Sequence, residues 1–161
     1  MKEYNEFVIA DDVISLYKNT TLSENPDITL SQAECFDIVL NDTNESVGLI
    51  NYRYSNKPDY IDYGGNINYR IKEERRGHGY AKRALNLMIE ILKNNTKYDQ
   101  PLYVASTLYN EDYLKVAFEC GGTLIHSGLV PDSVINSSYD KEMKNVAVYR
   151  IDIEKNKNKK I

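Results

Sequence analysis

The chain has 161 residues, of which 42% are hydrophobic and 27% charged, with a formal net charge of -4. That length supports one domain with a buried core, and that charge gives no overall attraction to nucleic acid or an anionic membrane, leaving only a local basic patch open. Cys35 and Cys120 sit in no metal-ligand spacing and make no disulfide framework, and with only two histidines no zinc site is expected. No apolar run approaches the ~18 residues of a membrane-spanning helix, and the opening MKEYNEFVIADDVISL carries acids where a secretory signal is apolar, so the chain reads as cytoplasmic.

The first thirty residues read as helix or loop, with Asp11-Asp12 ahead of Val13, Ile14 and Leu16 and a break near Asn25-Pro26. CFDIVL (35–40), the polar NDTNES and VGLINYRY (47–54) predict a hairpin. After a loop holding Pro58, GNINYRI (65–71) alternates, with Ile67, Tyr69 and Ile71 on one side and Asn66, Asn68 and Arg70 on the other. Ala81, Ala84, Leu85, Met88, Ile91 and Leu92 then recur at spacings of three and four, the stripe of an amphipathic helix that fades at Lys93. LYVAST (102–107) is a strand; Asn110 precedes a second helix, EDYLKVAFEC, that stops at Gly121-Gly122. TLIHSGLV and VAVYRIDI read as closing strands joined by a polar loop from Pro131 to Asn145. The order is helix, hairpin, strand, helix, strand, helix and two strands: an α/β fold with a mixed sheet, as one domain over 1–153 and a flexible basic tail over 154–161.

Two glycines, Gly77 and Gly79, open the first amphipathic helix. A helix start carries unpaired N–H groups that form an anion site, and glycines let a phosphate approach them. Arg75, Arg76, Lys82 and Arg83 add positive charge around the same turn, so the stretch describes a pyrophosphate cradle on a strand–turn–helix unit. A P-loop is excluded because the chain has no Gly-Lys pair, and a dinucleotide-binding GxGxxG because the third position after Gly79 is Lys82.

Arg76-Gly77-His78-Gly79-Tyr80-Ala81 fits (Arg/Gln)-x-x-Gly-x-(Gly/Ala). After a strand and before an amphipathic helix, it resembles the acetyl-CoA motif of the GNAT N-acetyltransferases. NEDYLKVAFECGG is similar to that family's Asn-led helix, and YGGNINYRIKEERRGHGYA resembles a subgroup of it. The resemblance covers roughly 35 to 153. It implies a mixed central sheet flanked by helices, with a V-shaped cleft for acetyl-CoA between the two central strands. It also implies a pyrophosphate on the N–H groups of Gly77, His78, Gly79, Tyr80 and Ala81, with Arg76 and Lys82 beside it. The pantetheine arm would lie along Tyr69, Arg70 and Ile71 with Asn110 nearby. An amine then attacks the thioester directly, helped by a strand N–H, a base for the ammonium and an acid for the thiolate.

The family's usual acid, a tyrosine seven residues after the asparagine, is Ala117 here, and the usual aromatic after the helix-closing glycine is Gly122. Tyr113 lies one turn before Ala117 on the same face, but side chains lean toward a helix N-terminus, which carries its hydroxyl away. Tyr113, Asp62 and Asn68 are the catalytic candidates, with the acid and base unassigned. His78 reads as a solvent-facing linker and His126 as a hydrogen-bonded structural histidine. Glu73 and Glu74 read as a solvated face, and Asp59 as loop. The expected activity is acetyl transfer from acetyl-CoA to a primary amine, on a small molecule or a peptide, without metal, by a monomer or homodimer. An acyl-CoA sensor without turnover and a phosphate binder unrelated to coenzyme A remain as alternatives.

Overall fold

A computed structural model describes residues 4, 6–19, 32–54, 65–95, 100–132 and 145–154. Asp59, Asp62, most of the Pro131–Asn145 loop and nearly all of the tail lie outside them.

The chain opens with two strands rather than a helix, β1 (Glu6–Ala10) and β2 (Ile14–Lys18), paired antiparallel. Asp11 explains the difference. Its carboxylate accepts the N–H groups of Val13 at 2.8 Å and Ile14 at 2.7 Å, so an acid that would also suit a helix start instead closes a turn between strands. Strands β3 (Gln32–Leu40) and β4 (Ser46–Tyr54) form the expected hairpin, and β5 (Ile67–Ile71) completes an antiparallel sheet in the order β1-β2-β3-β4-β5. A 3-10 turn at Glu73–Arg75 leads to α1 (Tyr80–Lys93). Then come β6 (Leu102–Thr107), α2 (Glu111–Glu119), β7 (Thr123–Leu129) and β8 (Asn145–Ile151). The last three strands make a second antiparallel sheet in the order β6-β8-β7.

The alternation read in β5 holds, with Ile67, Tyr69 and Ile71 buried and Asn68 and Arg70 exposed. Cross-strand registry carries the pattern across the sheet: Tyr69 faces Ile50, which faces Phe36, and all three are buried. Against this face α1 packs Ala84, Leu85, Leu87, Met88, Ile89 and Leu92. Each large side chain so buried contributes about 1.5–3 kcal/mol, which holds the start of α1 beside the end of β5. No helix among the described residues is long and apolar enough to cross a membrane.

The two sheets meet at the foot of β5. Asn66 donates its N–H to the Tyr103 carbonyl at 3.0 Å, its side-chain amide donates to the Pro101 carbonyl at 3.2 Å, and its Oδ1 accepts the Tyr103 N–H at 2.8 Å. Above that clasp β5 and β6 belong to different sheets, and the edge of β5 facing β6 has no ladder partner among the described strands.

Candidate active site

Arg53 N–H donates to the Asn66 carbonyl and Lys72 N–H donates to the Val47 carbonyl, both at 2.8 Å. A strand residue sends its N–H and C=O to the same side, and neighbours alternate. The even-numbered residues of β5 therefore bond β4, while Ile67, Tyr69 and Ile71 turn their amides to the bare edge. Arg76 Nε donates to the Ile71 carbonyl at 3.0 Å, and the Tyr69 N–H faces the Tyr113 hydroxyl.

From the top of this edge the chain passes into the glycine turn. Gly77 has φ 87° and Gly79 φ 77°, the left-handed region that costs other residues roughly 1–2 kcal/mol. Apart from its own chain neighbours, no described residue lies within 4 Å of where a Cβ would stand at either. The glycines thus serve the turn's conformation, and the space before them is open. Gly79 is the N-cap of α1 and no side chain caps it. The first helical bond is Arg83 N–H to the Gly79 carbonyl at 3.2 Å, which leaves the N–H groups of Tyr80, Ala81 and Lys82 facing out with the positive end of the helix dipole.

The four cations of this turn divide. Arg75 forms a two-pronged ion pair with Glu45, at 2.7 and 2.6 Å. Arg83 pairs with Asp11 and Asp12, each at 3.1 Å. Burial pushes the Asp11 carboxyl up, but the N–H groups of Ile14 and Val13 and the Arg83 guanidinium outweigh it and hold it below the usual range. Both arginines, read from the sequence as phosphate cations, instead fasten the turn to the strand loops beneath it. Lys82 and the rest of the Arg76 guanidinium are the charges left to face the cleft.

Helix α2 forms the opposite wall. The Tyr113 ring stacks on Tyr69 at 4.2 Å between centroids and 12° between planes. The Tyr69 hydroxyl donates to the Tyr113 carbonyl at 2.6 Å, and the Tyr113 hydroxyl donates to Asn68 Oδ1 at 3.2 Å. Burial pushes the Tyr113 phenol up to about 12, and burial raises Tyr69 further, so both carry their protons at neutral pH. Ala117 is fully buried and presents no polar group. A Cβ on Gly122 would stand 2.7 Å from the Ala117 carbonyl, which leaves no room there for the aromatic of the family pattern. At the far end of α2 the Cys120 thiol meets the Lys82 carbonyl at 3.6 Å; burial pushes it up to about 11 despite Lys82, so it stays neutral.

Together these parts enclose a cleft of about 690 Å³. It is lined by Asn68, Tyr69, Arg70 and Ile71 of β5, by Arg75, Arg76, Gly77 and Gly79 of the turn, and by Tyr80, Ala81 and Lys82 of α1, with Asn110 and Tyr113 opposite. Of the expected cofactor residues only His78 stays off the wall; its ring stacks on Tyr80 at 5.4 Å. Asn110 donates its amide to Ser106 Oγ at 3.0 Å. Asp112, Val116 and Glu119 also line the cleft. The sequence reading missed them, although their i, i+4 and i+7 spacing from Asp112 was a signal that they share one helical face.

The GNAT acetyltransferase domain family matches residues 10–123. No curated protein sequence matches the chain. Among solved structures it is similar to an acetyltransferase from Agrobacterium tumefaciens, at 17% identity and TM-score 0.60, over 93% of this chain and 96% of that one. It is also similar to a ribosomal-protein α-N-acetyltransferase in complex with coenzyme A, at 15% identity and TM-score 0.65, over 94% and 100%. A spermidine N-acetyltransferase from Vibrio cholerae in complex with coenzyme A and spermine aligns at 14% identity and TM-score 0.54, over 73% and 64%. These likenesses bear out the α/β fold with flanking helices expected from the motif, although the described strands form two antiparallel sheets rather than one mixed sheet. With a family match over residues 10–123, the chain belongs to the GNAT acetyltransferases.

Proposed function

We propose that the protein is an N-acetyltransferase that moves the acetyl group of acetyl-CoA to a primary amine in a ternary complex. One observation carries the reading: an uncapped helix N-terminus and a bare strand edge open onto the same cleft. The first suits a pyrophosphate and the second an amide-bearing arm, and acetyl-CoA has both in one molecule.

In this reading the N–H groups from Gly77 to Lys82 hold the pyrophosphate, with Lys82 and Arg76 adding charge and Arg75–Glu45 and Arg83–Asp11 fixing the turn. The Tyr69 carbonyl and the Ile71 N–H pair with the pantetheine arm, with Asn110 across from them. The coenzyme supplies an activated thioester. Open N–H donors of β5 polarise its carbonyl as an oxyanion site would. The Tyr113 hydroxyl, protonated and 3.2 Å from Asn68 Oδ1, serves as proton donor to the departing thiolate, in place of the tyrosine replaced by Ala117.

The test is release of free thiol from acetyl-CoA, with and without a panel of amines, for the wild type and Gly79→Trp. Amine-dependent release lost in the variant supports the transferase. Binding of acetyl-CoA without turnover by any amine would turn the reading toward a sensor. Equal affinity for ATP and coenzyme A would defeat it.

A further inference from the structure

Strand β5 has two faces, and the coenzyme reading uses one of them. Ile67, Tyr69 and Ile71 pack toward α1, whose start carries the glycine turn, while Asn68 and Arg70 point to the other side and are exposed. The resemblance lays the pantetheine arm along Arg70 as well. The amides of Arg70, however, face β4, where it stands opposite Leu49, so only its side chain reaches the cleft that it lines. That side chain also differs from the arginines of the turn. Arg75 pairs with Glu45, and Arg83 with Asp11 and Asp12; the Arg70 guanidinium has no hydrogen bond or ion pair among the described residues.

The charge around it is arranged by wall. On the sheet, Arg53 follows two residues after Asn51, which lies opposite Asn68, and alternation puts its side chain on the same face as Arg70. Its charge is felt at the Tyr113 phenol, which burial pushes up and the Tyr69 N–H and Arg53 pull back. Between the two arginines stand a neutral asparagine pair and Leu49. Asp37 lies one strand further on, opposite Leu49, and receives the Asn19 amide. The acids that line the cleft, Asp112 and Glu119, belong to the opposite wall on α2. Asp112 precedes Tyr113 in the first helical turn, and its carboxylate has no partner among the described residues. Where the Tyr113 hydroxyl meets Asn68, the strand wall is therefore cationic and the helix wall anionic.

We propose that the acceptor is a free amino acid, its carboxylate received by Arg70 and its amine set at Asn68, with Asp112 drawing the ammonium from the opposite wall. The proposal rests on the acetyltransferase reading above. A guanidinium presents paired N–H donors that match a carboxylate two to two. A polyamine would instead bring like charge to Arg70 and Arg53. Positions 68 and 70 lie about 6.7 Å apart along the strand. An amine and a carboxylate on one carbon reach both, each through a hydrogen bond of about 2.9 Å. In the transfer the ammonium gives one proton to water and its nitrogen bonds to the acetyl carbon as the C–S bond breaks. The thiolate takes the Tyr113 proton, which the proton left on the new amide nitrogen restores through water. One ammonium and one thioester thus become one amide, one thiol and one released proton.

The experiment measures free-thiol release from acetyl-CoA by the full chain with a panel of amino acids of small, apolar, acidic and basic side chains, each beside its primary amide. The amide keeps the side chain and the amine but lacks the carboxylate. Its amine also loses a proton more readily, so chemistry alone favours the amide. The best amino acid is nevertheless expected to show a KM about 10-fold below that of its amide. Arg70→Gln should close the gap by raising the KM of the acid, with the Kd of coenzyme A within about 2-fold of wild type, and Arg70→Glu should invert it. The side chain is exposed, so both variants should keep the thermal midpoint. Asp112→Asn should raise the KM of acid and amide alike several-fold, since both keep the ammonium; unchanged values would overturn its part. An amide as good as its acid, a gap that survives Arg70→Gln, or weakened coenzyme binding in that variant overturns the assignment of Arg70. Spermidine or a peptide N-terminus preferred to every amino acid overturns the acceptor class, as does acetyl-CoA binding with no amino acid acetylated. Failure to bind acetyl-CoA at all instead defeats the transferase reading on which the proposal stands.

Discussion

Replacing Tyr113 with phenylalanine isolates the proton-donor role. The ring stack on Tyr69, at 4.2 Å, needs no hydroxyl, and the Tyr69 hydrogen bond goes to the Tyr113 backbone carbonyl. Both survive the change. What is lost is one side-chain bond to Asn68, worth about 1 kcal/mol, which in a chain of this size shifts the thermal midpoint by roughly 2–4 °C. Acid catalysis by a placed side chain contributes about 10²–10⁴-fold. A thiolate is a tolerable leaving group, so the lower figure applies: kcat should fall about 100-fold, roughly 2.7 kcal/mol of barrier. The KM of acetyl-CoA should stay within about 2-fold, because the Tyr69–Tyr113 stack that shapes the cleft wall is kept. Thiol release at saturating amine measures kcat, and calorimetric titration with coenzyme A measures binding. With the phenol pushed up to about 12, the wild type should show no descending limb from this group below about pH 11. A variant with kcat within threefold of wild type and normal binding would refute the assignment and leave water as the acid.

Three further outcomes follow from the division of charge at the turn. Lys82→Ala should raise the Kd of coenzyme A about 10-fold and weaken its dependence on salt, whereas Arg83→Ala, which loses pairs with Asp11 and Asp12, should cost mainly stability; titration at two ionic strengths separates them. Gly79→Ala, at φ 77° with open space around it, should cost about 1–2 kcal/mol from backbone strain alone, read by denaturant unfolding. Asp11→Asn should cost about 1 kcal/mol at pH 7. The folded carboxyl lies below its usual value of 3.8, so its contribution is full above the unfolded pKa near 4 and is lost as pH falls through the lower folded value. Variant and wild type should therefore converge in unfolding experiments as the pH falls below that folded value, and a gap that persists there would contradict the carboxylate's role.

How much of this was legible in the sequence depends on the range of the physics involved. The β5 alternation, the α1 stripe and the glycine-led helix start at Gly77 and Gly79 are local, and each was readable from its own ten residues. The first strands were not, because Asp11 satisfies neighbouring N–H groups equally well at the start of a helix or in a tight turn, and pairing of β2 with β3 decided the matter. The cations show the same limit at longer range. Four basic residues crowd the turn, but Glu45 lies 30 residues from Arg75, and Asp11 72 residues from Arg83. No window around the motif contains either partner. The consequence is chemical: half of the apparent phosphate-binding charge is spent on rigidity. Anion affinity here must then come chiefly from oriented backbone N–H groups, which salt screens less than a mobile lysine. The residual binding of coenzyme A by Lys82→Ala at high salt measures that backbone share. Loss of all binding in that variant would mean that side-chain charge, not the helix start, holds the phosphates.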